Sequence, residues 1–323
     1  MKTLAEVGEA AVRDALRADG LWLDVGSVTV HVRSDAPSLA DALTDVYRHF
    51  PFQSRASWAD LHVELRSRRR VLVPWRPQAE FICDGSRPFE PFPLDTALPL
   101  FEWGVNWMIG TRLHHRLLLH AGAVARNDLA VLMPAVPGAG KTTLTAALAS
   151  RGWRLLSDEF AAVETDTGLV WPLIKPPVLK NESIAVFRQF APAASLGRTY
   201  PATRKGDVAH VAPPADAVAG RRRPARPIAI VLPSWQADAP ARLEPVSPAL
   251  ACSALAFNAF NYRICGEAGF RAVARLAREA STWQLTYGRL EDALNCLDSL
   301  YERTLASPPR PDHAELDAMP EAG

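Results

Sequence analysis

The sequence predicts an α/β protein in two parts. A strand-rich α+β unit over residues 1–95 precedes a larger α/β domain over residues 96–305, and a disordered tail over 306–323 closes the chain. Three observations carry this reading. The apolar run 129–133 is followed by a tight Pro/Gly segment and then, from Lys141, by residues at helical spacing, so a buried strand feeds a helix through a glycine-bearing loop. A second strand, 153–157, returns after that helix, and such a βαβ unit places both strands parallel in one sheet. Residues 21–33 instead alternate apolar with polar, as half-buried strands do, with Val28, Val30 and Val32 toward one side.

Composition narrows the function. With 323 residues, 48% hydrophobic and 22% charged, the chain can bury a sizeable core. A net charge of +1 gives no reason to expect nucleic acid or an anionic membrane as partner. Cys83, Cys252, Cys265 and Cys296 form no C-x-x-C pair, which predicts reduced thiols in a cytoplasmic protein. The first residues lack the apolar core of a signal peptide, and no run reaches the ~18–20 apolar residues of a membrane span.

In chain order, residues 4–18 have the pattern of a short amphipathic helix, and 38–50 of a second one with Ser38 as its N-cap. Strands follow at 61–65 and 79–83. The basic run Arg66-Ser67-Arg68-Arg69-Arg70 between them reads as a solvated loop, and His49 and His62 as surface or partly packed residues. The apolar helix 97–112 leads to strand 117–120, which ends in His120. Strands 121–125 and 129–133 flank a hairpin turn at Asn127-Asp128, and Gly152 is placed to cap the helix after the loop. A hairpin is predicted at 161–164 and 169–171, a basic loop with Lys175 and Lys180 at 172–181, and a long irregular stretch at 190–226 with one strand candidate, 207–211. Strand 228–232, helices 247–260, 267–280 and 289–304, and strand 283–287 complete the domain.

The chemistry concentrates in Ala135-Val-Pro-Gly-Ala-Gly-Lys-Thr142. It matches the phosphate-binding pattern G-x-x-x-x-G-K-[ST] except at its first position, where Ala is tolerable only with a negative φ. In that context backbone N–H groups and the helix N-terminus face phosphates, so Pro137, Gly138, Ala139, Gly140, Lys141, Thr142 and Thr143 are the candidate nucleotide-binding residues. Lys141 reaches the β/γ-phosphates and the Thr142 hydroxyl meets Mg²⁺. Seventeen residues after Lys141, strand 153–157 ends in Asp158-Glu159, which puts a carboxylate at the same edge of the sheet.

A histidine followed by a small residue (His120-Ala121), a hairpin strand, the phosphate loop, a helix, and a strand ending in two acids stand here in that order and spacing. Over residues 97–165 this resembles the HPr kinase/phosphorylase family, and more closely its HPr-kinase-related branch in peptide-modifying systems. The family's glycine-rich signature downstream of the acidic pair has no counterpart here. The resemblance implies a P-loop kinase core of the HPr kinase C-terminal type that uses ATP and Mg²⁺ to phosphorylate a Ser or Thr hydroxyl of a peptide or small protein. It gives Asp158 the role of general base, and Glu159 that of holding Mg²⁺ or orienting the acceptor. Thr142 becomes a metal ligand, Lys141 a catalytic lysine, and His120 a neighbour of the transferred phosphoryl group. A peptide-chaperone-like partner and a homo-oligomer are further implications.

Two other readings stay open. Arg204-Lys205, Arg221-Arg222-Arg223 and Arg226 fit the arginine-rich lid of a small-metabolite kinase, although a solvated surface is the default for the arginine run. A non-catalytic ATP-binding sensor would keep the loop and dispense with turnover.

Overall fold

The computed structural model describes residues 1–306 apart from 57, 71, 72 and 137. Pro137 and the tail beyond 306 therefore lie outside the described residues. The architecture is mixed α/β, built on four sheets.

The N-terminal unit opens with helix α1, Leu4–Arg17. Thr3 and Glu6 close a reciprocal capping box at its start, and Leu4, Val12 and Leu16 point inward. A five-stranded sheet follows in the order β1-β2-β3-β4-β5, made of Leu21–Asp24, Thr29–Ser34, Leu61–Arg70, Val73–Ile82 and Phe92–Pro93. Val28, Val30 and Val32 are buried on one side, as their alternation requires.

Two local predictions fail here. Helix α2 spans Pro37–Val46, because Pro37 presets the first helical turn; Ser38 is not its cap and donates to the Leu94 carbonyl at 2.7 Å. The basic run is strand, not loop. Arg66 and Arg68 alternate outward on β3, where Glu64 and Glu80 pair with them. Helix α3, Ala97–Arg112, has the predicted bounds and packs across β3 and β4.

The second large sheet has six strands. In spatial order they are β16 (Arg242–Pro245), β17 (Ser281–Tyr287), β15 (Arg226–Trp235), β8 (Leu129–Pro134), β7 (Ala121–Arg126) and β9 (Arg154–Ser157). β8, β15 and β17 are mutually parallel, while β7 lies antiparallel between β8 and β9. β9 thus runs parallel to β8 in the same sheet, as the βαβ argument requires, but one strand away. Asn127 and Asp128, with φ of 49° and 59°, make the two-residue turn that forces β7 and β8 together.

Strand β8 explains the layering. Ala130 and Leu132 join the core under helices α7 (Pro248–Phe257) and α8 (Tyr262–Glu279), whereas Val131 and Met133 face α4 (Lys141–Ser150) and α9 (Leu290–Ala306). Gly152 caps α4: its N–H donates to Ala149 and that of Trp153 to Leu148, the paired bonds of a Schellman motif.

Two small antiparallel sheets complete the fold. One joins β6 (Leu117–Leu119), β10 (Ala161–Val163) and β11 (Val170–Trp171), and β6 continues through His120 into β7. The other joins β12 (Val178–Lys180), β14 (Gly206–His210) and β13 (Tyr200–Thr203). Helices α5, Glu182–Phe190, and α6, Ala215–Ala219, flank this second sheet in sequence. Residues 190–226 are therefore largely ordered structure and not one long loop. Their prolines break the periodicity without breaking the fold. In the arginine run, Arg222 and Arg223 are exposed, as a solvated surface predicts, and pair with Asp24 on β1 and with Asp128, while Arg221 is half-buried and also pairs with Asp24. Among the described residues no helix is long and apolar enough to cross a membrane.

Candidate active site at the Lys141 loop

The loop between β8 and α4 is shaped by its glycines. Gly138 and Gly140 hold φ of 91° and 85°, the left-handed region that a Cβ penalises, and Gly140 also lies against the Tyr287 hydroxyl. Ala135 keeps a negative φ, which meets the condition for its place at the start of the loop. Lys141, the first residue of α4, is buried, and its Nζ donates to the main-chain carbonyl of Asp158 at 2.8 Å. Thr142 and Thr143 follow, half-buried, on the same turn, and Ala139 and Gly140 are half-buried in the loop itself.

Asp158 and Glu159 sit in the bend at the carboxyl end of β9, held by the Phe160 N–H donating to Ser157 Oγ. Asp158 is 7% exposed, and its Oδ1 is buried without a hydrogen-bond partner. Burial pushes its pKa up, against the opposing pull of Lys141; Glu159 adds to the rise, and the Thr142 hydroxyl and Lys180 offset part of it. The Glu159 side chain is 41% exposed and lies 3.8 Å from His120 Nε2. Burial raises its pKa, but Lys141, His120, Lys205 and Lys175 together hold it below the ordinary value.

His120 stands where β6 becomes β7, its N–H fixed by the Asn258 carbonyl at 2.7 Å. Burial lowers its pKa, as does Lys141, so the imidazole is neutral near neutral pH. The structure thus gathers His120, Lys141, Thr142, Asp158 and Glu159 at one end of the sheet.

Other groups join them. Lys205, which the sequence offers as part of a lid, sits at the tip of the β13–β14 hairpin, where burial and Lys180, Lys175 and Lys141 lower its pKa against the opposing pull of Glu159. Lys175 pairs with Glu102 at 2.8 Å, and both are buried. A small cavity beside Asp158 and Glu159 is lined by Glu102, Asn106 and Lys175, and Asn106 Oδ1 is also without a partner. No motif could have signalled Glu102 or Asn106, because both come from α3, an apolar helix read as core.

A larger cavity of about 440 Å³ lies elsewhere, against Ala146, Ala149 and Ser150 on the carboxyl half of α4. Among the described residues it has no carboxylate in its wall. Among the described residues no group of three or more His, Cys, Asp or Glu side chains could by itself hold a metal ion. No model of a known protein family matches the chain, and no curated protein matches it significantly.

Proposed function

We propose that this chain is an ATP-dependent kinase that transfers the γ-phosphoryl group to a Ser or Thr hydroxyl of a peptide or small protein. One observation carries the proposal: the amine of Lys141 donates to the main-chain carbonyl of Asp158, whose carboxylate is buried, where two parallel strands end beneath a glycine-shaped loop. The bond from Lys141 to the Asp158 carbonyl is exchangeable for one to phosphate oxygen. With Lys175 paired to Glu102, Lys141, Lys180 and Lys205 stand around Asp158 and Glu159 and leave a positive field suited to a triphosphate.

In the reaction the acceptor oxygen bonds to the γ-phosphorus, the bond from that phosphorus to the β,γ-bridging oxygen breaks, and ADP leaves. The hydroxyl proton passes to Asp158, whose raised pKa makes it the stronger base. Neutral His120 hydrogen-bonds the transferred group, and Lys141 offsets its charge. The unpartnered Oδ1 of Asp158, the Thr142 hydroxyl and Glu159 fit Mg²⁺, with phosphate and water completing a shell that these residues alone do not supply. The ion's chemistry when bound is neutralisation of charge on the β- and γ-phosphate oxygens.

A polypeptide acceptor is favoured over a small metabolite by exposed Phe257 and Phe260, which flank in the chain the Asn258 whose carbonyl accepts from the His120 main-chain N–H. The test is γ-labelled ATP added to extract of the source cells with the wild-type chain or with Asp158→Asn. Label entering one polypeptide only with wild type supports the proposal. Label confined to small molecules would make the chain a metabolite kinase, and no Asp158-dependent transfer with intact ATP binding would make it a sensor.

A further inference from the structure

A nucleotide held by the Lys141 loop has its phosphates at the end of β8, with the acids of β9 to one side. On the other side lie the carboxyl ends of β15 and β17, which run parallel to β8. Those ends carry Trp235 and Tyr287. Tyr287 is buried, and its hydroxyl lies 3.3 Å from the Gly140 carbonyl.

Trp235 is different. The residue is 51% exposed, yet it is tethered twice: its main-chain N–H donates to the Ala139 carbonyl in the loop at 3.3 Å, and its indole Nε1–H donates to the Gly288 carbonyl at 3.1 Å. Its Cβ lies 3.2 Å from the point a Cβ on Gly140 would occupy. An indole with its one polar atom satisfied, fixed against a phosphate loop, and open to solvent contributes little to the core. A π-surface held in this way is what a planar heterocycle needs.

Resting on the kinase reading, we propose that Trp235 is the platform on which the nucleobase of the triphosphate stacks. Because every base has a π-face, the platform accepts ATP and GTP alike. The site then takes a nucleoside triphosphate by its phosphates and its ring face.

The test is calorimetric titration of ATP, GTP and inorganic tripolyphosphate, each with Mg²⁺, into wild type, Trp235→Ala, Trp235→Phe and Lys141→Ala. Wild type should bind ATP and GTP about 10-fold or more tighter than tripolyphosphate. Trp235→Ala should bring both nucleotides down to the tripolyphosphate level and leave tripolyphosphate itself unchanged, while Trp235→Phe keeps most of the difference. Unchanged ATP affinity in Trp235→Ala would overturn the platform, as would an equal loss for tripolyphosphate, which would mark a structural role. Altered sedimentation of Trp235→Ala with unaltered nucleotide binding would overturn it too, in favour of a self-association surface. Binding of ATP and tripolyphosphate that ignores Lys141→Ala would instead sink the phosphate-loop reading, and the platform with it.

Discussion

Asp158 is under two opposed demands. Burial favours its protonated form, and the lysines around it favour the charged one; burial wins, so its pKa in the folded chain exceeds the ordinary carboxylate value. The folded state therefore binds this proton more tightly than the unfolded state does. Its contribution to stability is largest at acid pH and declines as pH rises through the raised pKa, by about 1.4 kcal/mol for each pH unit separating the folded from the unfolded value. Asp158→Asn removes that decline. We expect the variant to melt at a higher temperature than wild type at neutral pH, and melts followed between about pH 4 and about pH 8 should show the gap close toward acid. The same substitution should lower transfer by roughly 10²–10⁴-fold. A variant that loses both stability and transfer would show Asp158 to be a structural residue.

At the scale of elements, the loop makes a graded prediction. Gly138→Ala meets nothing in space and suffers only the left-handed backbone penalty of about 1–2 kcal/mol. Gly140→Ala adds a clash with the Tyr287 hydroxyl, so it should be the more destabilised by about 1–3 kcal/mol in denaturant titrations. The strand, loop and helix around these glycines were legible because each is decided locally, by five apolar residues, two glycines and helical spacing. Helix α3 and strands β8 and β9 were readable for the same reason. Where a distant partner decides, the local pattern misleads: Arg66 and Arg68 lie on a strand because β4 pairs with it, with Glu80 reaching Arg68 across the pair, and Ser38 donates to the Leu94 carbonyl instead of capping its helix. Strands β12 and β13 were missed because they are short and proline-flanked, and are held by their neighbour β14 more than by their own pattern.

At the scale of the molecule, the N-terminal unit and the site are physically joined. Tyr47 donates to Glu102 at 2.5 Å, Glu102 pairs with Lys175, and Lys175 lines the cavity beside Asp158. One apolar core runs from Leu4 through Phe101 to Leu173 and Val218. Lys175→Met alone leaves a buried carboxylate without its cation and should cost about 3–5 kcal/mol, whereas Glu102→Gln with Lys175→Met, which keeps an acceptor for the Tyr47 hydroxyl, should recover most of that loss in a double-mutant cycle. Additive losses would mean that the two residues act independently. This network was beyond sequence reasoning, since Tyr47, Glu102 and Lys175 sit in three segments whose local patterns say only helix, helix and loop. The same holds for Trp235, which reads as the end of a strand until the sheet order sets it beside Gly140.

In the kinase proposed here, Lys141 and Asp158 serve one bound nucleotide in different ways, the first holding it and the second acting on its acceptor. The decisive measurement pairs ATP binding with γ-phosphoryl transfer on the same three proteins: wild type, Lys141→Ala and Asp158→Asn. Lys141→Ala should lose binding and transfer together, while Asp158→Asn, which keeps an oxygen for Mg²⁺ beside Thr142 and Glu159, should still bind ATP and transfer nothing. Binding that survives Lys141→Ala, or transfer that survives Asp158→Asn, would contradict this division of roles.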